Sequence, residues 1–180
     1  MVYLANAGRI IRLTDTMNMI KQIFGIVFLM TLISCLQTDK LNESEKELII
    51  SDVIKMFSNY HKDIRKDGLT AEFKYLDRST DFFWVPPGYN SALSYDSVRH
   101  ILEINAKAFQ AVEFNWDTLK VYPLSDKIAN YSGIVKGSMI DTSGIKSSVI
   151  IIESGTVIKR SDGWKLLSGQ TAILDPRSEP

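Results

Sequence analysis

A carboxylate that removes a proton from carbon needs a desolvated setting, which raises its pKa towards neutrality, and a neutral donor such as a tyrosine to hold the developing oxyanion. In this sequence of 180 residues, Asp117, Asp141 and Glu153 fall on or beside strand-like segments, and Tyr60 and Tyr131 are candidate donors. Asp141 more naturally begins a turn, DTSG, and Asp117 lies beside an expected strand irregularity. Glu153 follows Val149-Ile150-Ile151-Ile152 and is the least ordinary of the three, a weak candidate for catalysis. Strand alternation still predicts a solvent-facing Glu153, since one face of a half-buried strand is polar. The two histidines, His61 in an HKD context and His100 in an RH context, are expected on solvated helix surfaces. Two isolated imidazoles predict no metal site. No glycine-rich phosphate loop, nucleophile elbow or HExxH motif occurs, and no cofactor is expected.

The chain carries 21 basic and 21 acidic residues, interleaved along its length. Without a basic stripe to neutralise phosphates, nucleic acid is excluded as a partner. Cys35 is the sole cysteine, so neither an intramolecular disulfide nor a cysteine-based metal centre can form. Its setting gives it a different chemistry. Lys21 precedes an uncharged apolar run of 11 residues, Ile23 to Ile33, which ends in Ser34 and Cys35. A membrane span needs about 20 apolar residues, so this run is read as the core of a signal peptide, residues 1–34. Leu32-Ile33-Ser34-Cys35 resembles the lipobox of bacterial lipoproteins, which implies cleavage between Ser34 and Cys35 and acylation of Cys35. Each buried methylene contributes about 0.8 kcal/mol, so several acyl chains anchor a domain firmly. Met17 or Met19 would give a more ordinary start, because Asp15 and the mixed polarity of residues 1–16 fit a signal peptide poorly. Residues 35–42 are expected to be a lipidated tether, and residues 43–180 a single domain in the cell envelope, at the outer membrane or facing the periplasm rather than the cytoplasm.

Hydrophobic periodicity assigns the elements that must position any site. Ile49, Val53, Met56, Phe57, Tyr60 and Ile64 recur at helical spacing and predict a helix from Glu43 to Arg65. Leu69 to Leu76 reads as a short second helix, Asp81 to Val85 as a strand stopped by Pro86-Pro87-Gly88, and Tyr95 to Phe109 as a helix capped by Ser94. From Ala111 the period becomes two. Val112, Phe114 and Trp116 alternate with polar residues, then Leu119 and Val121 continue in opposite phase, which predicts a bulge near Thr118. Strands over Ile128 to Ile140, Lys146 to Arg160 and Trp164 to Ile173 follow, joined by turns at Asp141–Gly144 and Ser161–Gly163. Helices first and a meander afterwards indicate an α+β domain.

This order of elements, the DFFWVPPG segment and the closing hairpin VIKRSDGWKLL from Val157 to Leu167 together resemble the nuclear transport factor 2-like fold, and within it the SnoaL-like and ketosteroid-isomerase-like domains. The resemblance covers about Glu43 to Ile173. It implies a cone-like curved antiparallel sheet packed against amino-terminal helices around a pocket, and a homodimer formed through the outer sheet face. One departure matters. Where many relatives carry histidines on the last strand, this chain has Ser168-Gly169-Gln170, so Gln170 can hydrogen-bond a ligand but no imidazole acts from there. In such a pocket Tyr60, Phe83, Trp84, Phe114, Trp116 and Tyr131 either line a cavity for a flat or apolar ligand or fill the core. The expected function is binding of a small, partly apolar molecule or a partner protein. Isomerase- or hydratase-like catalysis by a pocket carboxylate comes second, and a dimerisation or assembly module third.

Overall fold

The computed structural model describes residues 40–174. Cys35, Ser34, the apolar run before them and the expected cleavage lie outside the described residues. No helix among the described residues is long and apolar enough to cross a membrane.

Helix α1 spans Glu43–Asp67. Its first turn is closed by a capping box: the Asn42 side chain accepts from the Glu45 backbone N–H at 2.9 Å, and the Glu45 carboxylate accepts from the Asn42 N–H at 2.8 Å. Leu41 also packs on the core. Leu41 and Asn42, placed in the tether because the stretch around them is mostly polar, therefore belong to the folded domain. Gly68, with φ 81°, ends the helix in a conformation that favours glycine. A 3-10 helix, Leu69–Lys74, follows, then strand β1, Phe83–Val85, and helix α2, Tyr95–Asn105, capped by Ser94 as expected. Helix α2 stops short of Phe109, which instead opens strand β2, Phe109–Pro123. Strands β3, Ile128–Asp141, β4, Lys146–Arg160, and β5, Gly163–Ile173, complete the chain order.

The five strands form one curved sheet in the order β1-β5-β4-β3-β2. The meander from β2 to β5 is antiparallel, but β1 pairs with β5 in parallel, so the sheet is mixed rather than wholly antiparallel. The predicted bulge is present as a register shift between Trp116 and Thr118. It restores the phase of the pattern: Phe114 pairs with Gly137, Trp116 with Val135, Leu119 with Gly133 and Val121 with Tyr131, so these four apolar residues of β2 share the inward face.

That face meets the buried stripe of α1, and Phe57 sits at the centre with no exposed surface. Its ring contacts Trp116 edge-on at 5.2 Å between centroids and lies 4.6 Å from the Tyr131 ring. At the other edge of the sheet, Trp84 of β1 lies over Gly169 of β5, where a Cβ would come within 2.6 Å of the indole. Glycine is what lets the short parallel strand dock so closely. The loop after the 3-10 helix is tied to the end of β4 by a bidentate pair, in which Arg160 Nε and Nη2 donate to the Asp77 carboxylate at 2.9 and 2.8 Å.

Candidate functional site

Between α1, the 3-10 helix, α2 and the inward face of the sheet lies a cavity of about 190 Å³. Its wall is mostly apolar, formed by residues such as Trp84, Phe114, Val135 and Leu166, and two carboxylates open on to it, Glu72 and Glu153.

Each carboxylate has its own tyrosine. Tyr60 of α1 donates to Glu72 Oε2 at 2.8 Å, and Tyr131 of β3 donates to Glu153 Oε1 at 2.8 Å. Glu153 comes from β4, where it pairs with Gly133 on one side and Thr171 on the other. It is 9% exposed, and burial pushes its carboxyl up to about 7 against the opposing effect of the Tyr131 hydrogen bond. Glu72 is half-buried by surface area, yet its carboxyl group is enclosed on the cavity wall. Burial pushes it too to about 7; the Tyr60 hydrogen bond works against that rise, and the charge of Glu153 adds to it. Both tyrosines are raised well above the usual phenol range, first by burial and then by the carboxylates, and stay neutral donors. His61, also on the wall, is driven down to about 4 by burial and by the nearby Arg65, so its imidazole is neutral at pH 7.

Of the residues expected to line a pocket, Tyr60, Trp84 and Phe114 do so, and Glu153 joins them. The plain expectation of a solvent-facing Glu153 is corrected: the register of β4 puts it on the same face as Tyr131, and the cavity fills the space where solvent was expected. Tyr131 is 2% exposed in the core and reaches the site through its hydroxyl. Trp116 does not line the cavity. It packs edge-on against Phe57 and stacks on His61 at 5.6 Å, facing a groove on the outer side of α1. Phe83 and Gln170 are corrected more sharply. Trp84 points inward over Gly169, so its neighbour Phe83 and the next residue of β5, Gln170, emerge on the opposite face of the sheet. His61 is not a surface residue either: it is 7% exposed, whereas His100 is exposed as expected.

Glu72 was missed. The signal was present, because Leu69, Glu72, Phe73 and Leu76 have the i, i+3, i+4, i+7 spacing of one helical face, with an acid at a position where an apolar residue is expected. Among the described residues no group of His, Cys, Asp and Glu is arranged to hold a metal ion.

The two raised carboxyls make stability depend on pH. Both hold protons in the folded state up to about pH 7, while unfolded they ionise near 4.5, so folding stability is greatest below that range and falls as pH rises towards 7. His61 acts in the opposite direction, because stability is lost as pH falls from 6.5 towards its folded value of about 4. Two groups outweigh one. Urea unfolding is expected to show a loss on the order of 2–4 kcal/mol between pH 5 and pH 8, reduced when either glutamate is replaced by glutamine. A stability that rises over that window would contradict the burial of the pair.

No family model matches the chain, and no curated protein matches it in sequence. Solved structures do match. A protein provisionally named scytalone dehydratase, from Novosphingobium aromaticivorans, superposes with a TM-score of 0.66 at 13% identity over 74% of this chain and 89% of its own. A nuclear transport factor 2-like superfamily protein from Salmonella enterica serovar Typhimurium gives 0.59 at 13% identity, covering 73% of this chain and 92% of that one. A type 2 hexachlorocyclohexane dehydrochlorinase gives 0.60 at 9% identity, over 74% and 90%. Such low identities speak for the backbone alone, and the helices, the bulged meander and the cavity between them agree with them: the chain has the nuclear transport factor 2-like fold.

Proposed function

We propose that this chain is the precursor of a lipid-anchored envelope protein whose domain carries out acid–base chemistry on a small, partly apolar molecule, as an isomerase or a dehydratase does. The observation that carries the catalytic reading is the pair of tyrosine-bonded carboxyls on one apolar cavity, each with a pKa near 7. Two acids that repel each other lose their protons in turn, so near neutral pH one is ionised and the other protonated. Glu153 is suited to be the base. It takes a proton from a carbon next to a carbonyl, while protonated Glu72 donates to the carbonyl oxygen; returning the proton to a different carbon completes an isomerisation. The dehydrochlorinase and the provisional scytalone dehydratase on the same fold also bear names of elimination chemistry, which supports this class. Binding without turnover is the second reading, favoured by the apolar wall. The test is deuterium incorporation from D₂O into single-ring ketones and enones, followed by NMR with the full chain in mild detergent. Exchange at the rate of buffer alone would leave only binding.

The anchor rests on the sequence around Cys35. Cys35→Ala is expected to abolish incorporation of labelled palmitate into the protein in cells; undiminished label would remove the lipoprotein reading and its envelope location. Pairing of two copies through the outer sheet face is supported by Phe83, Ile150 and Ile152, which are 45%, 37% and 42% exposed there. Sedimentation equilibrium of the chain at micromolar concentration should then report a dimer, and Ile152→Lys a monomer.

A further inference from the structure

We infer that this cavity also takes a single-ring amine, bound in its protonated form by the carboxylates of Glu72 and Glu153 within the aromatic wall. The inference rests on the cavity being the ligand site, as proposed above, and adds a second class of ligand, one that binds when both carboxyls are ionised.

The first argument is a surplus of acceptors. An ionised carboxylate offers about four acceptor positions. Here the structure fills one on each, Tyr60 on Glu72 and Tyr131 on Glu153. Both phenol protons are thereby committed. His61 adds a further polar group: it is 7% exposed and stands on the cavity wall. With both carboxyls ionised, about six acceptor positions stay open on them, against one N–H of neutral His61, the amide of Asn105 and the hydroxyl of Thr171, so acceptors outnumber donors on the wall. An ammonium group, with three donors and no acceptor, is the complement.

The second argument is charge. Neither lysine nor arginine lines the cavity among the described residues. Arg65 and Lys74, which follow the wall residues His61 and Glu72 closely in the chain, are committed elsewhere: Arg65 bonds Asn115 and pairs with Glu113, and Lys74 pairs with Asp63. Helix α2 contributes only Asn105 and apolar side chains, and β5 contributes Thr171 and Leu166, so neither brings a counter-charge. A carboxylate ligand would meet two acids and no cation. A cationic one would supply the missing partner, and Trp84, Phe114 and Tyr60 give it π faces.

Size sets the rest of the class. A closed apolar cavity of about 150 Å³ takes benzene. The space here, about 190 Å³, takes one ring and a short arm.

The experiment compares three probes of one shape, benzylamine, benzyl alcohol and benzoate, by calorimetry on the full chain in non-ionic detergent. At about pH 8 benzylamine is still protonated and both carboxyls are largely ionised, so it should bind roughly 10-fold or more tighter than benzyl alcohol, with benzoate weakest. Its affinity should fall as the carboxyls take up protons below about pH 6. Glu72→Gln and Glu153→Gln, tested singly and each verified as folded by circular dichroism, should each remove most of the difference between amine and alcohol. Benzyl alcohol or benzoate binding as tightly as benzylamine, no binding of benzylamine, or an affinity that rises on acidification overturns the inference. Turnover of neutral ketones with no amine binding would leave the acid–base reading standing and remove this one; amine binding with no turnover would do the reverse.

Discussion

Glu153→Gln is expected to lower the rate of deuterium exchange into a single-ring ketone by about 10²–10⁴-fold, the range typical for loss of a positioned general base. Glutamine keeps the volume and still accepts the Tyr131 hydrogen bond, which is 2.8 Å long in the native site, so the change removes the base and little else. The pH profile identifies the role. A mechanism that needs one carboxyl ionised and its neighbour protonated gives a bell centred near pH 7, with the acid limb set by the base and the alkaline limb by the acid. Glu72→Gln should flatten the alkaline limb, because an amide no longer loses the proton that the limb reports. A purely structural role for Glu72 would lower the rate at every pH and leave the bell unchanged. In the same way, Tyr131→Phe should act through Glu153, shifting the acid limb upward, since the hydrogen bond that lowers the Glu153 pKa is gone.

The elements and the antiparallel meander were legible in the sequence because period and punctuation are local properties. The stripe of α1, the Ser94 cap, the bulge before Thr118 and the turns at Asp141 and Gly163 each depend on neighbours within a few residues. What the sequence could not show is which face of a strand closes over a cavity. Glu153 and Gln170 lie on adjacent strands of similar composition, yet Glu153 points inward and Gln170 outward. That difference follows from the register of β4 against β5, where Glu153 pairs with Thr171 and Ser154 with Gln170, and a register shift after Thr156 resets the phase. His61 was misread for a similar reason. Its neighbours Lys62 and Asp63 are charged, but it sits one residue from Tyr60 at the edge of the stripe, and the wide Trp116 ring of β2 covers it. The parallel pairing of β1 was hidden too, since three residues carry no information about the direction of their partner.

The largest loss of stability is expected from Phe57→Ala. The side chain has no exposed surface and joins the two layers of the domain, touching Trp116 and Tyr131 from the helix side. Truncating a buried phenylalanine costs about 3–5 kcal/mol, part from lost transfer energy and part from the void left behind. Against a total of about 5–15 kcal/mol for an ordinary domain, that brings the protein close to half-unfolded at modest urea concentration. The site should fail before the fold does. Tyr131 rests on Phe57 at 4.6 Å and holds Glu153 through its hydroxyl, so a void beneath the ring frees the base from its fixed position. Phe57→Leu fills most of that space and should lose less stability, with its urea midpoint between those of the native protein and the alanine variant. If exchange activity under fully folding conditions were the same in all three proteins, Tyr131 would not be held by Phe57, and the path from helix packing to the carboxylate would have to run elsewhere.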